Sequence, residues 1–224
     1  METRKHFRQQ LDQLYRDVLR MGVMVEEALQ KAVTAVEQRD QELARSVIDG
    51  DLEIDRLQLQ LEESSAQLLA TEQPVATNLR EILVIIKIAS DLERIGDHSR
   101  HLAKLVHEEP SELVTQTLPS MRKMTMVGIE MVHESLRAFV DQDSDKAKEV
   151  AARDDQIDEM HRALYREIVE AMQKHPHWVE IGTNLVFVNR FLERLGDHVT
   201  NMCEWIVYAK TGQHVDLNKP QAGR

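Results

Sequence analysis

A single cysteine, Cys203, leaves no partner for an intramolecular disulfide, so non-covalent packing has to hold this chain together. Aromatic residues make up only 4% of it, and alternating β-branched runs are scarce, which turns the expectation away from sheets. The five prolines fall where helices are expected to end or linkers to run. Apolar runs such as Ile82 to Ile86 are far too short to span a bilayer, and the first eight residues hold no apolar signal region. These absences together predict a soluble protein of a reducing, cytoplasmic compartment. Positive charge is also in short supply: 28 Lys and Arg stand against 39 Asp and Glu, a net charge of −11 with no basic patch. Such a surface repels phosphate backbones and anionic lipid, which excludes nucleic acid as a partner and argues against direct membrane insertion. Catalytic motifs are missing as well, with no phosphate-cradling glycine loop, nucleophile elbow, CxxC or HExxH, so the chain does not read as an enzyme.

What is present is a repeat. Leu92-Glu93-Arg94-Ile95-Gly96-Asp97-His98 returns almost unchanged as Leu192-Glu193-Arg194-Leu195-Gly196-Asp197-His198. Around it, Ile85, Ile88, Leu92, Ile95, Leu102 and Val106 answer Leu185, Val188, Leu192, Leu195, Met202 and Ile206. That three-and-four spacing is one face of a helix, and it puts both copies on helices. Hydrophobic residues at 42%, ten of them Met, supply a core for helix-on-helix packing, and the chain reads as all-α.

The apolar stripe from Phe7 to Val36 predicts a first helix over about Lys5 to Arg39. A second resumes at Leu43 and ends near Thr71, before Pro74; a third runs from about Val75 to His107. Pro110, between Glu108-Glu109 and Ser111, marks the linker, and Pro119 leaves the next start uncertain. The second half then predicts helices over about Ser120 to Val140, Asp145 to Lys174 and His177 to Lys210, the last stopped by Gly212. The expected architecture is two tandem pseudo-symmetric antiparallel three-helix bundles, 1–109 and 110–214, followed by a polar tail, 215–224.

Each half carries two acidic pairs at i, i+4: Asp51 with Asp55 and Glu93 with Asp97, then Asp154 with Asp158 and Glu193 with Asp197. Side chains four apart stack on one helix face. If the second and third helices turn near Gln73, residue numbers summing to roughly 147 lie level, which sets Asp55 by Glu93 and Asp51 by Asp97. A turn near His175 gives a level sum of roughly 351 and sets Asp158 by Glu193 and Asp154 by Asp197. Taken at 100° per residue, the four acids of the first half lie about 85° to 160° round from the apolar seam, in one sense. They should line a groove on the outside of the bundle, open to ions and solvent.

Two outcomes fit such a groove. It is either a solvated acidic face with local ion pairs, for which Arg94 and Arg194 are the obvious partners, or a metal site. Oxygen ligands suit hard ions such as Mg, Ca, Mn or iron, with Zn added if His98, His101 or His198 joins. Gly96 and Gly196, each inside a helix beside the acids, call for close approach, of a neighbouring helix or of an ion cluster. Cys203 reads as a small buried side chain rather than a ligand. Glu130-Met131-Val132-His133 matches the ExxH of ferritin-like di-iron bundles, but that site needs two such motifs and here there is one.

The tandem plan, the two ERxGDH stretches, Met21-Gly22 with Val25-Glu26, Gln73-Pro74, Leu79-Arg80, the run Asn189-Arg190-Phe191, Asn201, and the terminal Tyr208-Ala209-Lys210-Thr211-Gly212 resemble the PhoU family of phosphate-transport regulators. The resemblance covers most of the chain. It implies a non-enzymatic cytoplasmic regulator of phosphate uptake and of the phosphate-starvation response, peripheral to the membrane through its partners. Those partners would be a phosphate ABC transporter ATPase and a sensor histidine kinase, whose response it would restrain; a homodimer is compatible with it. The family's E(D)xxxD motifs fall on Asp51/Asp55, Glu93/Asp97, Asp154/Asp158 and Glu193/Asp197, which implies divalent or ferric metal ions there, Fe, Zn, Mg or Mn. His101 stands where the family pattern, kept by Asn201 in the second half, has Asn, so equal metal affinity of the two halves is not implied. A ferritin-like di-iron protein and a metal-free helical scaffold are the rival readings.

Overall fold

Helix punctuation decides the chain's path. A computed structural model describes residues 2–107 and 111–218. Its elements are α1 (Glu2–Gln38), α2 (Gln41–Glu72), α3 (Thr77–Ala103) continued by a 3₁₀ turn (Lys104–His107), α4 (Glu112–Asp141), α5 (Ser144–Ala151), α6 (Asp154–Lys174), a 3₁₀ turn (Pro176–Trp178) and α7 (Val179–Thr211). No strand occurs among the described residues. The Asp40 carboxylate caps α2 by accepting from the Glu42 and Leu43 amides, and Asp143 caps α5 in the same way. Before Pro74, Gln73 closes α2 in the left-handed conformation. At φ 73° Gly212 closes α7, as expected, its amide donating to the Tyr208 carbonyl.

Two boundaries differ from the sequence reading. The helix expected from Ser120 begins at Glu112 and carries Pro119 inside it. Ser111 caps that start, and Leu113 and Thr117 are fully buried, which together offset the ~3 kcal/mol that an interior proline costs. The helix expected over Asp145 to Lys174 is broken at Ala152-Arg153 into α5 and α6. The break leaves Asp154 and Asp155 in the first turn of α6, where the positive end of the helix dipole favours them, and the Arg153 guanidinium is tied to Glu130 of α4 at 2.6 Å. The linker at Pro110 lies outside the described residues, as do residues 219–224 of the tail. What is described of the tail is docked: Val215 and Leu217 pack on the core, and His214 stacks on Tyr208.

The first bundle is α1, α2 and α3; the second is α4, α7 and the pair α5–α6 in place of one rod. The halves join along two seams, α3 on α7 and α1 on α4. Glu37 pairs with Arg122 and Glu26 with His133, so α1 and α4 run antiparallel. Asp91 meets His198 while His101 meets Phe191, so α3 and α7 do too. The predicted apolar seam is buried throughout, from Ile85 to Val106 and from Leu185 to Ile206, and one hydrophobic core runs through both halves.

At the α3–α7 seam, equivalent residues meet with diverged chemistry. His98 stacks on Phe191, while its counterpart His198 brings Nδ1 to within 2.9 Å of the carboxylate of Asp91, the counterpart of Phe191. The His98 and His198 rings lie 5.5 Å apart, where a pseudo-twofold axis would pass. Burial holds His98 neutral, its pKa pushed down to about 3. Cys203 lies fully buried on α7, and burial pushes its thiol up to about 12. In the native protein Cys203 is therefore expected to resist an aromatic disulfide reagent at neutral pH and to react at the rate of unfolding as urea is added. Immediate reaction in buffer would show that α7 is not packed as described.

Candidate metal centre

The missing side chain of each motif glycine sets the distance between the two acid-bearing helices. A Cβ built on Gly96 would lie 3.1 Å from Ile54 and 3.6 Å from Asp51 Oδ1, both on α2. One built on Gly196 would collide with the Asp154 carboxylate and come within 3.1 Å of Ile157, both on α6. The two explanations open from the sequence thus coincide, since the close helix packing is what brings the first acid of each outer pair onto the motif helix. All eight predicted residues come together as two groups of four. In the first, Asp51 feels the charges of Asp97 and Asp55, and Glu93 feels those of Asp97, Asp55 and Asp51. In the second, Asp154 feels Asp197, Asp158 and Glu193.

The groups lie deeper than an open outer groove. Asp51 is 3% exposed and Glu193 9%, while Asp55, Glu93, Asp97, Asp154, Asp158 and Asp197 are half-buried. The glycine-mediated approach accounts for the difference, because rotation about an idealised axis places a residue on a flank but does not say how tightly the neighbouring helix closes over it. The expected arginine partners also change. Arg94 reaches Glu93 and Asp97 only at 3.6 and 3.9 Å. Arg100 does more: Nη1 is 2.9 Å from Asp51 Oδ2 and Nη2 is 2.8 Å from Asp97 Oδ1. The contact to Asp51 is an ion pair without hydrogen-bond alignment. In the second half the pairs come from Arg190 to Glu193 Oε1 and from Arg162 to Asp158, not from Arg194. Arg100 escaped the sequence reading although its signal was there, a cation three residues after Asp97 on the same face.

Electrostatics separates the two groups. Burial raises the Asp51 pKa and Arg100 opposes the rise. Burial likewise raises Glu93, against Arg94, and Glu193, which Asp197 raises further against Arg190. The largest effect is at Asp154, pushed up to about 7 by burial first and then by Asp197, Asp158 and Glu193. Here the dipole of α6 is outweighed. Asp154 Oδ1 and Glu193 Oε2 are buried with no hydrogen-bond partner. They line a cavity of about 470 Å³ with Asp158, Asp197, Lys148, Leu217 and Asn218. A reciprocal clamp also ties α6 to α7: Asn189 Nδ2 donates to the His161 carbonyl at 3.0 Å, and His161 Nδ1 lies 3.3 Å from the Asn189 carbonyl.

The donor set suits a hard cation. Crowded carboxylate oxygens, of which Asp51 Oδ1 and Oδ2, Asp154 Oδ1 and Glu193 Oε2 are buried without a hydrogen-bond partner, are what such an ion coordinates. No three His, Cys, Asp or Glu side chains among the described residues converge closely enough to hold a metal as placed, so binding would draw the carboxylates inward. The histidines do not join: His98 and His198 face one another across the α3–α7 seam, and His101 stacks on Phe191 at 4.2 Å. Nor does the ExxH stretch form a di-iron half-site, because Glu130 pairs with Arg153 and His133 with Glu26 at another seam.

The Asp154 shift gives a pH dependence. Its folded pKa lies above its unfolded value near 3.9, so the folded state binds the proton more tightly; that stability is full below the unfolded value and is lost as pH rises through about 7. With chelator present, the thermal midpoint is expected to be higher at about pH 6 than at about pH 8, and Asp154→Asn to flatten the difference. An unchanged slope in Asp154→Asn would place the titrating group elsewhere.

Compared with known proteins, residues 18–106 and 121–206 each match the model of the PhoU domain. The chain is 37% identical over 217 residues to a phosphate-specific transport system accessory protein PhoU homolog of Clostridium acetobutylicum, covering 96% of this chain and 99% of that protein. Among solved structures it is similar to PhoU from Pseudomonas aeruginosa, with a TM-score of 0.86 at 33% identity, covering 92% of this chain and 100% of the other. It is also similar to the phosphate transport system regulatory protein PhoU from Streptococcus pneumoniae, with a TM-score of 0.82 at 32% identity, covering 94% and 99%.

Proposed function

The chain belongs to the PhoU family, and from that premise we propose that it is a cytoplasmic adaptor linking a phosphate ABC transporter, through its ATPase, to a sensor histidine kinase, and that it restrains the phosphate-starvation response when phosphate is plentiful. The observation that carries the regulatory reading is the likeness at full length: both repeats match, and nearly the whole of each relative is covered. No helix among the described residues is long and apolar enough to cross a membrane, so membrane association would come through partners. A ferritin-like enzyme is disfavoured by Glu130 and His133, which turn to Arg153 and Glu26 rather than to each other.

Its action would be by occupancy rather than turnover. Bound to the kinase, an adaptor shifts the kinase's equilibrium only by its differential affinity for the two kinase states. The family's acidic motifs fall on Asp154, Asp158, Glu193 and Asp197 and on Asp51, Asp55, Glu93 and Asp97, and a cation bound at such acids would supply positive charge to an otherwise anionic cleft. Cation loading would thereby change the surface offered to a partner.

Deleting the gene is expected to raise phosphate-responsive transcription in phosphate-rich medium, with repression restored by the intact chain. Unchanged transcription in the deletion strain would refute the regulatory reading. For the cation, calorimetric titration of the kinase's cytoplasmic region against metal-loaded and chelated protein is expected to differ by a coupling of about 1 to 3 kcal/mol. Equal affinities would remove the cation from this contact.

A further inference from the structure

The two clefts share four carboxylates in the same arrangement but differ in where their positive charge sits. In the first, the Arg100 guanidinium lies between the helices, 2.9 Å from Asp51 and 2.8 Å from Asp97, and is itself two-thirds buried. In the second, the residue at the equivalent place is Thr200, fully buried, whose hydroxyl has no hydrogen-bond partner. The arginines there stand at the rim: Arg190, 56% exposed, on one oxygen of Glu193, and Arg162, 62% exposed, on Asp158. The other oxygen of Glu193, on a residue nine-tenths buried, and Asp154 Oδ1 have no hydrogen-bond partner, and both residues line the cavity. A carboxylate removed from water needs a cation or a proton. Asp51 Oδ1 and Oδ2 in the first cleft also lack hydrogen bonds, but a covalently attached cation stands 2.9 Å from Oδ2. The cation that lines the second cavity, Lys148, is paired with Asp145 outside the group of four acids.

We propose that the clefts are of different kinds: Asp154, Asp158, Glu193 and Asp197 form the cation site of this chain, whereas Arg100 is the resident cation of Asp51, Asp55, Glu93 and Asp97 and keeps metal out of that cleft. This inference rests on the reading of the acids as cation ligands and sharpens it to one half. The ion is a hard divalent or trivalent cation, since the side-chain donors that line the cavity are carboxylates and one amide, with no sulfur or imidazole among them. A fixed guanidinium competes at every metal concentration, because it is held beside the acids by the chain itself. For a metal to enter the first cleft, Arg100 must swing out and give up both contacts.

The test uses the full chain, stripped with chelator and titrated with MnCl₂ by calorimetry, with bound Mn²⁺ counted by electron paramagnetic resonance. Asp154→Asn and Asp197→Asn are each expected to weaken Mn²⁺ binding by about tenfold or more, while Asp51→Asn leaves it within about twofold of the unaltered protein. Arg100→Thr, which copies the second half, is expected to add Mn²⁺ uptake that a further Asp51→Asn abolishes; Arg100→Lys, which keeps the charge, adds none. Equal loss in Asp51→Asn and Asp154→Asn overturns the asymmetry while leaving the cation reading intact. A folded Arg100→Thr with no added uptake overturns it too, and if that variant does not fold, the comparison of Asp51→Asn with Asp154→Asn decides. No Mn²⁺ uptake by any form would sink both readings.

Discussion

A carboxylate taken out of water has to be given a positive charge, a proton or a solvating cage, and this constraint shapes both halves of the molecule. The motif glycines let α2 close on α3 and α6 close on α7 until four acids crowd together in each half. In the first half an arginine from the same helix answers the constraint inside the cleft. In the second it is answered incompletely, and Asp154 carries the imbalance as a pKa near neutrality. Each unmet buried acceptor costs about 1 to 3 kcal/mol, and of the buried acid oxygens without a hydrogen bond, those of Asp51 have a guanidinium beside them while Asp154 Oδ1 and Glu193 Oε2 do not share one.

The same helices serve two different interfaces, and the helical step keeps these apart. On α3, Asp97 looks towards Arg100 and the acid cleft, while His98, one residue or about 100° on, looks across to α7 and stacks on Phe191. On α7, Asp197 lines the second cavity, while His198 turns to Asp91. The seam between halves therefore shares its helices with the clefts without sharing their ligands. A repeat that has diverged at the seam, Asp91 with His198 on one side and His98 with Phe191 on the other, can diverge in its clefts as well. Arg100 and Thr200 are that divergence.

Much of this was legible in the sequence, and the parts that were not have a common cause. Spacing at three and four found the buried stripes from Ile85 to Val106 and from Leu185 to Ile206, because burial of an apolar face dominates helix packing. Level sums grouped the acids that the structure brings near one another, because antiparallel neighbours of known rise leave little freedom in height. Burial depth was misjudged for Asp51 and Glu193, since how far a helix closes over a flank depends on the side chain absent at Gly96 and Gly196. Pro119 was read as a boundary because local chemistry says so; Ser111, Leu113 and Thr117 overrode it. The break at Ala152-Arg153 has no glycine or proline to announce it, and part of its support, the Arg153 bond to Glu130 of α4, is tertiary.

That break distinguishes the clefts mechanically as well as electrically. The first is built from α2 and α3, two unbroken helices, and its acids are crossed by a side chain of α3 itself. The second is assembled from more pieces: Lys148 and Ala151 from α5, Asp154 and Asp158 from α6, Glu193 and Asp197 from α7, and Leu217 and Asn218 from the segment after it. That last segment is anchored by the Leu217 amide, which donates to Glu204 at 2.8 Å. A cation drawn in by carboxylates of α6 and α7 would act on the helix junction and on the segment after α7. In the first cleft the same charge is already part of the chain and transmits nothing new. A regulator that responds to ions needs an element whose two states bind the ion differently, and the second cleft is the one whose acids adjoin a helix junction.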